Sequence, residues 1–371
     1  MLVAPVATKA KLPMKGVRMT KRSDMCFNRR DLMKAGAATA AVAALGGLNY
    51  TPVGAQEAKK VTLIQGIQND QFYISMACGA QKAADERGIE LTVQAGERWD
   101  PSIQTTLLNA VVQSEPDAIL IAPNDRVAMI SPLKDAKDAG IAIITVDTFI
   151  EDDSVALANV ASDNVLGGQM AADALAGLIG ETGKVYVSNT IAGTSTTDQR
   201  AQGFEEQIGT YPDIEYIGLD YNNNDPTTAA SQTSAQLQAH PDLAGIFGTN
   251  LFSAQGAAAA VKDAGKTGEI KIVGFDAGPQ QVADLNAGVV DALIAQHPYD
   301  IGYQAVNLAA DYLLDGTEPA EKVYTTGYSV VTRDNIADPE IARYLYVSDC
   351  SEIPADAGAS PEAAPEASPA A

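Results

Sequence analysis

Seven positions along this 371-residue chain could together hold a ligand rich in hydroxyl groups: Asp70, Asp147, Asn189, Arg200, Asn250, Asp276 and Gln296. Ionised carboxylates accept hydrogen bonds from hydroxyls, amides both accept and donate, and a guanidinium donates in a fixed fork. The set lacks the concentrated positive charge that a phosphate would demand. Phe72 and Tyr73, beside Asp70, add flat apolar faces that can stack on the C–H side of a ring. Taken singly, an Asn or Asp at a strand exit could equally be a helix cap or a turn residue. The same chemistry at six strand exits favours a pocket for a polyhydroxylated ligand.

Other chemistries find less support. No Gly-x-Gly-x-x-Gly follows the first strand, and neither a Walker loop nor a Ser/His/Asp elbow is present in the sequence. His240, before Pro241, reads as a helix cap, and His297, after Gln296, as a hinge residue rather than a base. No Cys/His spacing resembles a zinc site. Asp220–Asp225 begins like a calcium loop, but Asp225 stands where glycine should turn the chain and Ser231 where a bidentate glutamate should be. We therefore expect no catalytic residue, no cofactor and no metal.

The elements that must position these residues alternate regularly from residue 61. Strands are expected at 61–67, 89–95, 118–121, 141–146, 184–188, 214–219, 245–248, 270–275 and 291–295. Between them, patterns such as Tyr73, Ala77, Ala80 and Ala84 repeat at helical steps, with Gly88, Gly140 and Gly265 as stops. This alternation predicts an α/β fold with two doubly wound parallel-sheet lobes joined by a multi-strand hinge. In open parallel sheets, ligands sit beyond the carboxyl ends of the strands, where the polar set falls.

Composition narrows the class further. Nine of the 25 basic and two of the 47 acidic residues precede Gln56, leaving a balance of −29 for the remainder. Such a surface repels phosphate backbones and anionic lipid, so no nucleic-acid partner is expected. Before Gln56 lie Arg29-Arg30 with Asp31-Leu32-Met33-Lys34, an Ala/Gly-rich run to Leu48, and Val53-Gly54-Ala55. This is the three-part layout of a cleaved export signal, of twin-arginine type although Asn28 and Met33 depart from that pattern. The run is short of the ~20 apolar residues of a membrane span. Cleavage near Ala55 would release a periplasmic protein. A Cys78–Cys350 disulfide would be allowed in the periplasm, but the expectation is a buried, inert Cys78 and a free Cys350, with residues 350–371 a disordered Ala/Pro/Glu/Ser tail.

From about Lys60 to Val347 the chain resembles the periplasmic sugar-binding proteins of ATP-driven (ABC) importers, in the ribose-binding-like branch of the type I periplasmic binding proteins. The matching stretches are Asn69-Asp70-Gln71-Phe72-Tyr73, Ile144–Asp147, Ala161–Gly168, Ile191–Ser195, Arg200–Phe204, His240-Pro241-Asp242, Val273–Asp276 and Ile294–Gln296. The resemblance places ring-stacking aromatics at Phe72 and Tyr73, and hydroxyl-binding groups at Asp70, Asp147, Arg200, Asn250, Asp276 and Gln296. Thr148 replaces the ribose-type arginine after the aspartate, Asn224 replaces the aromatic on the opposite ring face, and Ala122 replaces an asparagine. Trp99 or Tyr221 could supply a substitute stacking face, although the simpler reading of Trp99 is a partly buried loop aromatic.

The resemblance implies an N-terminal lobe of 60–162 plus 297–325 and a C-terminal lobe of 163–296 plus 326–348. The crossings would lie near Ser162-Asp163, Gln296–Pro298 and Thr325–Gly327. The expected role is capture of a monosaccharide, or alternatively a sugar alcohol, and its delivery by a monomer to an inner-membrane permease. A sugar enzyme or a chemoreceptor-presenting sensor are weaker alternatives. A sugar-responsive repressor would need a basic helix-turn-helix where this chain carries the export signal.

Overall fold

The computed structural model describes residues 57–353; the signal segment and the tail beyond Ile353 lie outside them. β1 (Lys60–Gln65) leads into α1 (Gln71–Arg87), followed by β2 (Glu90–Ala95), α2 (Pro101–Val112), β3 (Ala118–Ile121), α3 (Ile130–Asp138), β4 (Ala142–Val146) and β5 (Ala158–Ser162). The pattern then repeats. α4 (Asn164–Ile179) is followed by β6 (Gly183–Asn189), α5 (Ser195–Ile208), β7 (Ile214–Tyr221) and α6 (Pro226–Ala239). β8 (Leu243–Gly248), α7 (Leu251–Asp263), β9 (Lys271–Phe275), α8 (Pro279–Asn286) and β10 (Ala292–Gln296) complete it. α9 (Pro298–Ala310), β11 (Val323–Thr326), β12 (Tyr328–Val331) and α10 (Pro339–Ala342) close the chain, before a short 3-10 turn at Cys350–Glu352.

Two six-stranded sheets result, ordered β11-β5-β4-β3-β1-β2 and β12-β10-β9-β8-β6-β7. All pairs are parallel except β10–β12, which is antiparallel. β3 and β10 are buried along their whole length, as expected of strands covered by helices on both faces. α1 starts at Asp70, whose carboxylate caps Phe72 N, and stops at Gly88, which takes the left-handed conformation at φ 65°. No helix among the described residues is long and apolar enough to cross a membrane.

The nine expected strands are present, and three further ones join them: β5, β11 and β12. The chain passes between sheets at Ser162-Asp163, at Gln296–Pro298, and at Gly327 between β11 and β12. His297 sits at the second crossing as the cap residue of α9, its Nε2 3.1 Å from Ser329 Oγ and its ring stacked on Tyr344. His240 caps the end of α6.

The expectation of two separate cysteines is overturned. Cys78 on α1 and Cys350 form a disulfide, with Cα atoms 5.4 Å apart across 272 residues. Residues 350–353 are therefore not part of a loose tail. The chain leaves β12 and returns to α1, and this return brings together two cysteines that are far apart in sequence.

Candidate functional site

The carboxyl ends of β1, β4, β6, β8, β9 and β10 converge on one cavity between the sheets. Asp70, Phe72, Tyr73, Asp147, Arg200, Asn224, Asn250, Asp276 and Gln296 all line it. The lobes are closed over it. Phe149 N donates to Ser195 Oγ at 3.1 Å, Arg126 N to Gly193 O at 3.4 Å, and Arg126 Nη1 lies 3.8 Å from Asp198 Oδ2.

The first sheet supplies aromatics and acids. Tyr73 packs edge-on to Phe72 at 5.1 Å between ring centroids and stacks with Trp99 at 6.4 Å. Its hydroxyl donates to Asp147 Oδ2 at 2.7 Å. Asp147 and, in the second lobe, Asp276 occupy left-handed backbone at φ 60° and 76°. Such conformations are costly for non-glycine residues and collect at functional sites. Burial, reinforced by the nearby Asp276 carboxylate, pushes the Asp70 carboxyl up to about 7. Burial likewise pushes Asp147 up to about 6, against the opposing pull of the Arg200 guanidinium and the Tyr73 hydroxyl.

The second sheet supplies the cation, the carboxylate Asp276 and the neutral hydrogen-bonding groups. Arg200 is 2% exposed. Its Nε donates to Asn164 Oδ1 at 2.8 Å and its Nη1 to Thr249 O at 3.0 Å, while Cζ stands 3.8 Å above the Phe275 ring. These contacts fix the guanidinium plane at the cavity wall, and its third nitrogen takes no part in either bond. Asn250 Nδ2 donates to Asn224 Oδ1 at 2.7 Å. Asp276 accepts from Leu251 N at 2.9 Å and from Gln296 Nε2 at 2.8 Å. Gln296 Oε1 and Thr194 Oγ1 are buried without a protein partner among the described residues. Buried polar atoms require a partner, and both residues line the cavity. Such a wall suits a neutral, many-hydroxyl ligand. Among the described residues no cluster of acids, histidines or cysteines is placed to hold a metal.

One expected site residue, Thr148, lies apart from the others. Thr148 is fully buried and does not line the cavity. Asp147 turns the chain there, and the Thr148 carbonyl instead accepts from Asn159 Nδ2 at 3.2 Å. Asn189 also stays outside the lining; its Oδ1 accepts from Thr190 N and Thr249 Oγ1. Ala122 and Tyr221 are likewise absent from the lining, whereas Trp99 is in it, its Nε1 held by Asn124 O at 2.9 Å. The sequence reading missed Thr190, Thr194, Thr196 and Thr197. Their signal was a hydroxyl-rich turn directly after β6, at the same kind of strand exit as the residues it found.

The family described as periplasmic binding protein domain matches residues 61–318, and the twin-arginine translocation pathway signal sequence matches residues 26–46. The chain is 32% identical over 273 residues to the ribose import binding protein of Escherichia coli K12, covering 74% of this chain and 90% of that one. It is 30% identical over 264 residues to the D-apiose import binding protein of Actinobacillus succinogenes, covering 71% and 84%. Among solved structures it is similar to an ABC transporter solute binding protein from Agrobacterium vitis bound with α-D-tagatopyranose. That pair has a TM-score of 0.76, 45% identity, and coverage of 78% of this chain and 99% of that one. A second protein from Agrobacterium vitis, with bound D-fucose, has a TM-score of 0.73, 31% identity, and coverage of 77% and 100%.

Proposed function

This chain belongs to the periplasmic binding protein family, as an exported monosaccharide-binding component of an ABC importer, and from that premise we propose that its cavity takes a hexopyranose, with D-tagatose as the leading candidate. The observation that carries the proposal is the one-sided aromatic wall. Phe72, Tyr73 and Trp99 stand on the first lobe, and the facing wall holds the amide pair Asn224–Asn250 and a row of threonines. An aldopentose ring sandwiched between two aromatics would leave those amides without work. A ketohexopyranose carries both a hydroxyl and a hydroxymethyl group on its anomeric carbon, which gives that wall donors and acceptors to meet. The 45% identity to the protein solved with α-D-tagatopyranose supports the same class.

In this reading Asp147 and Asp276 accept from ring hydroxyls, Arg200 donates to hydroxyl or ring oxygens, and the aromatic faces fix the ring plane. None of them transfers a proton. Micromolar affinity requires about 8 kcal/mol, within reach of several charge-assisted hydrogen bonds and one stacked ring. The lobes, 60–162 with 297–325 and 163–296 with 326–348, would rotate about the crossings at 162–163, 296–298 and 327. Closure then gives a permease a shape that reports occupancy. The mature chain begins after Ala55 and works as a monomer.

Titration calorimetry of residues 56–371 against D-tagatose, D-fructose, D-ribose, D-allose, D-fucose and sorbitol tests the proposal. Tightest binding by a ketohexose, in the micromolar range or below, is expected. Preference for D-ribose or for the open-chain sorbitol would overturn the ketohexose assignment.

A further inference from the structure

The chain crosses between lobes a fourth time, at its C-terminal end. After β12, Arg333 Nη1 donates to Leu285 O and Val290 O of the second lobe, at 3.2 and 2.9 Å. Tyr346 N donates to Ala277 O, also of the second lobe, at 3.0 Å. The next residue has already changed lobes: Val347 N donates to Ser75 Oγ on α1 at 3.0 Å. Three residues later Cys350 is joined covalently to Cys78 on the same helix. Residues 333–350 thus form a strap with one end on each lobe.

Tyr346 stands where the strap changes lobes, 4% exposed and outside the cavity lining. Its ring meets Phe72 edge-on at 5.8 Å. Its hydroxyl donates to Asp276 Oδ1 at 3.0 Å and accepts from Gln296 N at 3.1 Å. One side chain therefore contacts three cavity residues, one from the first lobe and two from the second. The Oδ1 atom it contacts is the one that Gln296 Nε2 also reaches. With Leu251 N on Oδ2, the three donors fix the rotation of the Asp276 carboxylate and the direction of its remaining lone pairs.

We propose that Tyr346 is a positioning residue for the sugar site, and that the Cys78–Cys350 disulfide holds it in register by anchoring the strap to α1. This rests on the monosaccharide reading above. Losing the phenol leaves the carboxylate free to rotate and lose alignment with ring hydroxyls. Losing the anchor releases Val347 from Ser75, and the hydroxyl then no longer meets Asp276 and Gln296 in a fixed place.

The test uses residues 56–371 and whichever sugar of the calorimetric panel the unmodified protein binds most tightly. Tyr346→Phe keeps the ring against Phe72 and removes the hydroxyl. It is expected to weaken binding about tenfold, the effect of one lost hydrogen bond to a charged group, and to lower the melting temperature by a few degrees, because Gln296 N loses its acceptor. On an Asp276→Asn background the same change should add less than about twofold, since the effect passes through that carboxylate. Replacing both Cys78 and Cys350 by serine should weaken binding to a similar extent. It should also speed amide hydrogen exchange at Val347 and Gln296, while the centres of α1 and α9 stay protected. Unchanged affinity in Tyr346→Phe, or full additivity with Asp276→Asn, would overturn the positioning role. If no sugar binds the unmodified protein, the monosaccharide reading fails. The exchange measurement then decides the strap alone: unchanged rates at Val347 and Gln296 in the serine pair overturn it.

Discussion

The two lobes share a frame and differ in what they place on it. In each, a central strand exits into an acid in left-handed backbone, Asp147 after β4 and Asp276 after β9. In each, two helices approach until glycines touch backbone. A Cβ on Gly79 or Gly302 would strike the facing helix in the first lobe, as would one on Gly168 or Gly203 in the second. The first lobe uses its exits for the aromatic faces Phe72, Tyr73 and Trp99 with the carboxyls Asp70 and Asp147; the second uses them for hydroxyls, amides, the buried guanidinium and one carboxylate, Asp276. A sugar ring has apolar C–H faces and a hydroxyl rim. The difference between the lobes is that the aromatic faces of the lining all stand on one of them, while both carry carboxylates that can meet ring hydroxyls.

Three substitutions probe the contrast between the lobes. The largest effect is expected from the second lobe. Arg200→Met removes the cation facing Asp70 and Asp147, leaving Asn164 Oδ1 and Thr249 O without their donor. Affinity measured by calorimetry should fall on the order of a thousandfold, the scale of breaking a buried charge pair. A loss under tenfold would mean that the cation does not organise the site.

In the first lobe, Phe72→Leu keeps apolar volume and removes the aromatic face. About a tenfold loss is expected, in line with the ~0.5–1.5 kcal/mol that aromatic packing adds beyond buried area. A loss as large as that for Arg200→Met would erase the assigned contrast between the lobes.

The smallest effect concerns stability and pH. The folded chain holds the Asp70 proton up to about pH 7, well above the ordinary value of 3.8. The folded state therefore binds that proton more tightly than the unfolded state does. The resulting stabilisation is complete below pH 3.8 and is lost as pH rises through 7. Asp70→Asn can still cap Phe72 N but does not titrate. Relative to the unmodified protein, its melting temperature should climb steadily between pH 4 and pH 8. A difference that stays flat across that range would contradict the assigned burial of the carboxyl.

Much of the frame was legible because its strands are nearly continuous apolar runs separated by helices with helical periodicity and glycine stops. β5, β11 and β12 were not. Asn159 interrupts β5, and the short runs Val323–Thr326 and Tyr328–Val331 mix polar and apolar residues, carrying no periodic signal. The carboxylates, amides and Arg200 could be placed because each follows a readable strand or the helix after it. The threonines after β6 were hidden as an ordinary helix start. Thr148 stands outside the lining because a single left-handed residue, Asp147, redirects the chain after β4. The disulfide and Tyr346 depend on a return to α1 across 272 residues, which no local pattern reveals.

On the proposed reading, one sugar ring lies between the aromatic wall of the first lobe and the threonines, amides and Arg200 of the second. A crystal structure of residues 56–371 grown with D-tagatose tests it most directly. A pyranose ring is expected against Phe72 and Tyr73, with its hydroxyls within hydrogen-bond distance of Asp147, Asp276 and Arg200. A sugar bound elsewhere, or one whose ring stands away from the aromatic wall while only the second lobe touches it, would contradict it.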